Sequence, residues 1–240
     1  MAVAAIKSKR SSDSITGAIL IEFERVLLPG ANFFYEALNE TLKNKKLEFD
    51  EKIFRHFFLN NTLKSNIQNL FFASDGDNPA IEKLIQQVTE RYLKKISSFN
   101  DSLPKALLDL IKTASESNWK VVLITKLPQK TLSAFISTID YMKKCDIHTL
   151  EDINMPFVFT TKKQWQSILN ANKINQKSAI ALTDNNSSLR SAVAIGISAV
   201  AIPHKLTEHQ DFTGADIIVE DEKTLLLQDC VSLLTPVSFL

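Results

Sequence analysis

Two hydrophobic rhythms divide the chain. "ILIEFERVLLPG" (Ile19 to Gly30) begins as an apolar run, takes in Glu22, Glu24 and Arg25, and ends at a Pro-Gly loop. That is the pattern of a buried strand meeting its first loop. After Gly30 the period becomes helical. In "FFYEALNETLKNKK" Phe34, Ala37, Leu38 and Leu42 share a face, and Ile81, Leu84, Ile85, Val88 and Tyr92 repeat the amphipathic spacing further on. "FDEKIFRHFFL" and "TLKSNIQNLFF" read as shorter helical pieces, and "SDGDNP" (Ser74 to Pro79) as a turn with an N-cap candidate. Residues 31–97 are therefore predicted to be all helix, with no strand.

From Ser102 onward the two rhythms alternate. "LPKALLDLIKTASESN" is a predicted helix with Pro104 near its first turn. "KVVLIT" is a strand, "PQKTLSAFISTI" a helix, "PFVFT" a strand, "KKQWQSILNAN" a helix and "SAIALTD" a strand. "NSSLRSAVAIG" is a helix ended by Gly196, "SAVAIP" and "ADIIVE" are strands, and "EKTLLLQDCVSLL" is the last helix. Strands bounded by helices imply right-handed crossovers and a parallel sheet covered on both faces. The predicted class is α/β: a Rossmann-like parallel sheet flanked by helices, with an inserted all-helical cap. Residues 15–30 and 98–240 would form the core domain, 31–97 the cap, and 1–14 a polar, disordered tail.

Composition narrows the function classes. The 28 Lys and Arg against 27 Asp and Glu give a net charge of +1, which offers nucleic acid no electrostatic footing. No apolar stretch approaches the about 20 residues that span a bilayer. The opening "MAVAAIKSKRSSDS" lacks the apolar centre of a secretory signal. The expected setting is cytoplasmic, or an organelle stroma or matrix where a targeting segment has been trimmed. Cys145 and Cys230 have no neighbouring Cys or His at metal-ligand spacing, so two buried thiols are expected rather than a disulfide or a zinc site.

Candidate chemistry gathers at the strand ends. Residues two apart on a strand face the same way, so Glu22 and Glu24 are read as paired carboxylates. Thr125 closes "KVVLIT", and Thr183-Asp184-Asn185 closes "SAIAL". Open parallel sheets hold ligands at these carboxyl ends, where the strand order reverses.

Together these segments resemble the haloacid dehalogenase-like hydrolases, the aspartyl-phosphate phosphatases and phosphomutases, from about Thr16 onward. "IEFERVL" stands where that family has Asp-x-Asp-Gly-Val-Leu, "VVLIT" matches its strand ending in Ser or Thr, and "ALTDNNSSLRSAVAIG" follows its strand-acid-turn-helix segment. The helical insert looks like the cap of the phosphoglucomutase-like branch, and "IPHKLTEHQDFTGADIIVED" is similar to the CbbY-type sugar-phosphate phosphatases. The resemblance implies a carboxylate nucleophile at position 22, a general acid/base at 24, phosphate ligands at Thr125 and at Lys162 or Lys163, and magnesium on Glu22 and Asp184.

The chain departs from that pattern at several of these positions. Glu replaces Asp at both 22 and 24, Arg25 replaces a Gly, and Pro29 stands where the branch often has another acid. Thr183 and Ser188 occupy places where relatives commonly carry metal-binding acids. A carboxylate displaced by about 1 Å can cost about 100-fold in rate. Two functional readings follow. One is a family relative with a degenerate site and weak or lost phosphatase activity, acting through a binding cleft or a protein partner. The other is an active magnesium-dependent phosphatase or phosphomutase on a small sugar phosphate.

Plainer roles stay open beside these. Thr125 is also suited to cap the next helix, Asp184 to an Asx turn, and Lys162 and Lys163 to the solvated surface. Arg25 is suited to solvent, or to pair with Glu22 or Asp184 in place of magnesium. The Phe pairs 33–34, 57–58 and 71–72 are expected to pack the cap, with any exposed pair offering a partner surface. His56, His148, His204 and His209 show no catalytic arrangement, and core or surface roles are expected for them.

Overall fold

The computed structural model describes residues 17–43, 49–59, 61–72, 81–99, 102–137, 139–150, 159–219 and 225–234. The N-terminal tail and the Ser74–Pro79 turn lie outside the described residues.

Six parallel strands form one sheet in the order β3-β2-β1-β4-β5-β6. They are β1 (Ala18–Glu22), β2 (Lys120–Thr125), β3 (Asp146–Thr149), β4 (Ala179–Thr183), β5 (Ser198–Ala201) and β6 (Ile217–Ile218). The chain moves outward from β1 to β2 and β3, then returns to β4 on the other side of β1. The order therefore reverses at β1 and β4, and the crevice for a ligand lies outside their carboxyl ends.

Both faces of the sheet are covered, so its central strands are fully buried. On one face Ile19, Ile21, Val121 and Leu123 join a core with Leu107, Ile111 and the cap. On the other, Leu20, Val122, Ile124 and Ala181 pack on Trp165, Ile168 and Leu169. Each such aliphatic side chain contributes about 1.5–3 kcal/mol when taken from water.

The third strand differs from expectation. It is Asp146–Thr149, paired with β2, while Phe159 and Thr160 of "PFVFT" are not in a strand and residues 156–158 lie outside the described set. β3 is a partly exposed edge strand with a polar sequence, so it lacks the apolar run that marks buried strands. "ADIIVE" is likewise reduced to the two-residue edge strand β6.

Between β1 and β2 lies the helical cap. It follows the short turn α1 (Phe23–Val26) and comprises α2 (Gly30–Leu42), α3 (Glu51–Ile53) running into a π-helical turn (Phe54–Phe58), α4 (Leu63–Phe72) and α5 (Ile81–Ser97). No described residue from 31 to 97 is in a strand. Helices α2 and α5 pack through an edge-on Phe34–Tyr92 contact, with centroids 5.9 Å apart, and Phe54 adds another edge contact on Phe34. Phe34, Phe58 and Phe71 are buried as expected of cap residues, but Phe57 is 48% exposed. It stands edge-on to His56, on the solvent side of the π-helical turn.

The remaining helices are α6 (Lys105–Glu116), α7 (Gln129–Ile136), α8 (Lys162–Asn172), α9 (Asn186–Val193) and α10 (Leu227–Leu234). Thr161 and Gln164 form a capping box on α8, and Gly196, with φ of +82°, turns the chain after α9. Cys145 and Cys230 are free, buried thiols, each pushed up to about 12 by burial. No helix among the described residues is long and apolar enough to cross a membrane.

Candidate functional site

The strand alternation that buries Leu20 carries Glu22 to the same side of the sheet, toward α8 and α9. There its carboxylate is 4% exposed and held by three hydroxyls. Thr160 and Thr183 donate to its two oxygens, and Ser188 donates to Oε1 at 2.8 Å. Ser188 in turn accepts the Thr160 amide at 2.8 Å, so the cradle is closed on itself.

After Glu22 the chain turns into α1, and Glu24 is aimed at the end of β2. Its Oε1 accepts from Thr125 Oγ1 at 2.8 Å and from the Lys126 amide at 2.6 Å. Burial raises the Glu24 carboxyl above its ordinary value, and these two hydrogen bonds only partly oppose that. Tyr92 of the cap is buried nearby; burial, with the charge of Glu24, holds its phenol well above the usual range.

Arg25 crosses to the end of β4. Its Nη1 lies 2.8 Å from Asp184 Oδ1, with the two side chains 6% and 0% exposed. The second Asp184 oxygen meets His204 Nε2 at 2.8 Å. His204 Nδ1 accepts the Leu206 amide, so Nε2 is the protonated nitrogen and donates to Asp184 even when the ring is neutral. Burial alone would raise the Asp184 carboxyl; the Arg25 charge and His204 outweigh it and hold it below the ordinary carboxylate value. Arg25 is correspondingly held above its own usual value, because Asp184 and Glu22 outweigh its burial. Asn185 completes the group by capping α9 through the Ser187 and Ser188 amides, while its Nδ2 donates to the Leu59 carbonyl of the cap at 3.0 Å.

Glu22, Glu24, Thr125 and Asp184, expected together from sequence, do meet at the carboxyl ends of β1, β2 and β4. Glu24, however, lies in α1 beyond the end of β1 and is not the same-face strand neighbour of Glu22 that the two-residue spacing implied. Lys162 does not join them. It and Lys163 are exposed on the first turn of α8, and Thr160, two residues before Lys162, reaches Glu22 instead. His204, expected in a core or surface role, belongs to the cluster. Its signal was its place just past the end of β5; the signal for Thr160 was its place just ahead of the capping box.

Room at this site is small. The cavity bounded by Glu22, Glu24, Arg25, Thr125, Lys126 and Thr160 holds about 20 Å³, enough for about one water. The donor set does not fit magnesium. That ion prefers six oxygens in near-octahedral array, whereas both Asp184 oxygens are taken by Arg25 and His204, and Glu22 is ringed by hydroxyls. Among the described residues no group of three or more His, Cys, Asp or Glu could hold a metal ion.

No protein-family profile and no curated protein sequence matches the chain. Solved structures do. CbbY from Rhodobacter sphaeroides, crystallised with phosphate, aligns with a TM-score of 0.69 at 20% identity, over 86% of this chain and 95% of that one. A mutant of the same protein bound to xylulose-(1,5)bisphosphate gives 0.70 at 20% identity over the same shares. A haloacid dehalogenase-like hydrolase from Streptococcus pneumoniae gives 0.65 at 20% identity, over 86% of this chain and 94% of that one.

The fold is that of the haloacid dehalogenase-like hydrolases. A putative beta-phosphoglucomutase from Thermotoga maritima also aligns, with a TM-score of 0.61 at 16% identity over 91% of this chain and 98% of that one. Likeness over so much of the chain takes in cap as well as core. Within the haloacid dehalogenase-like fold, the cluster described above sits at the reversal of strand order, where such sheets place ligands.

Proposed function

We propose that this chain is a degenerate member of the haloacid dehalogenase-like hydrolases, whose phosphoryl-transfer activity is weak or lost and whose role is carried by binding. The observation that carries the reading is the Arg25–Asp184 pair, 2.8 Å long and almost fully buried. A guanidinium there supplies the positive charge that magnesium would bring to carboxylates and phosphate, but it offers no coordination site for a phosphoryl oxygen and a water. Glu22 is a weak nucleophile in this setting, because hydroxyl donors occupy both carboxylate oxygens. Burial favours the protonated, neutral form of Glu24, which suits a general acid, yet its Oε1 is already committed to Thr125 and Lys126.

The test is turnover of para-nitrophenyl phosphate and a panel of sugar phosphates, with and without magnesium. The expected result is hydrolysis at the background rate, unchanged in Glu22→Gln. Magnesium-dependent turnover that Glu22→Gln abolishes would overturn the proposal and establish the active phosphatase instead.

A further inference from the structure

A second concavity lies on the seam between cap and core, away from the strand-end cluster. It is bounded by Glu51, Lys52, Arg55 and His56 from α3 and the π-helical turn, and by His209 from the loop after β5. Its volume is about 440 Å³, within the range of about 300–1,000 Å³ typical of small-molecule sites. Four of these five side chains are cationic or can become so. The one acid, Glu51, is already engaged by Arg55 at 2.6 Å and approached by Lys205 at 3.8 Å. Lys52 forms no ion pair among the described residues.

Arg55 carries a further mark. Its Nε–H is buried with no acceptor among the described residues. A buried donor left unpaired is costly, so the guanidinium that carries it is incompletely satisfied as the chain stands. His209 Nε2 meets the Arg55 carbonyl at 3.2 Å, which fixes the ring against the cap and, with Nε2 donating, leaves Nδ1 to face other groups. The π-helical turn that presents Arg55 and His56 is an irregularity often found at functional sites.

We propose that this seam binds a small multivalent oxyanion, of the phosphate or carboxylate kind, with the part-exposed Arg55 guanidinium and Lys52 as its principal donors. The inference goes beyond the loss of turnover and does not depend on it, since the groove and the strand-end cavity share no lining residue. Because the groove is bounded by both cap and core, a bound anion would lie against the two together.

The experiment titrates the full chain with pyrophosphate and with citrate at fixed ionic strength, by calorimetry and by amide NMR. Saturable binding of at least one is expected, with shifts centred on residues 51–56 and 204–210. Arg55→Gln should weaken it tenfold or more, as expected for loss of a charged hydrogen bond. Should Arg55→Gln fail to fold, Lys52→Gln and His209→Gln, both on exposed side chains, decide by each weakening binding severalfold. Binding of neither anion, equal affinity in the variants, or shifts centred on residues 22–25 and 125–126 would each overturn the proposal.

Discussion

The strand-end cluster and the seam groove are opposites. In the first, three buried carboxylates are answered by hydroxyls, amides, a guanidinium and an imidazole, and about 20 Å³ is left over. In the second, about 440 Å³ is bordered by cations whose only acid is already shared. A site that satisfies its own charges has little left for a ligand, because any ligand must displace partners already in place. A site with unanswered donors and open volume has the reverse economy. The strand-end acids are thus answered from within the fold, while the larger open volume lies on the seam.

The sharpest way to break this contrast is to remove the internal cation. Arg25→Met should destabilise the protein by about 3–5 kcal/mol at neutral pH, since it strands the Asp184 charge in the interior. Asp184 is depressed in the folded state, so its contribution is present above its unfolded value and is lost as pH falls through the lower folded one. The penalty of Arg25→Met, measured by urea denaturation, should therefore shrink in acid. A cost under about 1 kcal/mol at neutral pH would show that the pair is not the countercharge inferred here.

A smaller effect is expected at the link between cluster and cap. Asn185→Ala removes the α9 cap together with the bond to Leu59, and should cost about 2 kcal/mol. Amides near residues 54–59 should then exchange faster than those of the sheet. Uniform acceleration would instead mean that cap and core open as one unit.

The smallest change is at Glu24. Its folded value lies above the ordinary 4.5, so wild type should lose stability as pH rises from the unfolded value through the folded one. Glu24→Gln keeps an acceptor for Thr125 and Lys126 but carries no titrating proton. Its pH profile should be flatter across that window, with a change of at most about 1–2 kcal/mol at neutral pH. Parallel profiles for the two proteins would locate the ionisation elsewhere.

Much of the fold was legible because it rests on local pattern. The runs around Ile19, Val122, Ala181 and Val200 are apolar and short, and the helix faces around Leu38, Val88 and Ile168 have the 3.6-residue period. β3 escaped notice because an edge strand with one half-exposed face needs no apolar run. Within the site, Glu22, Glu24, Thr125 and Asp184 could be named from strand ends, since the crevice follows from topology. His204 and Thr160 were harder to name: a place past β5 or ahead of a capping box marks a position near the crevice, but does not say that the side chain reaches Asp184 or Glu22.

By itself the sequence determined the buried central strands and most helices of the core, though not the edge strand β3, that a helical block interrupts them, and which acids stand near the strand ends. These are properties of neighbours along the chain. Only the tertiary structure decided what each acid touches: Arg25 on Asp184 across 159 positions, Thr160 on Glu22 across 138, and His209 on the Arg55 carbonyl across 154. Such partners are set by side-chain reach after the sheet and cap have packed, and in the low dielectric of the interior those contacts decide which groups stay charged.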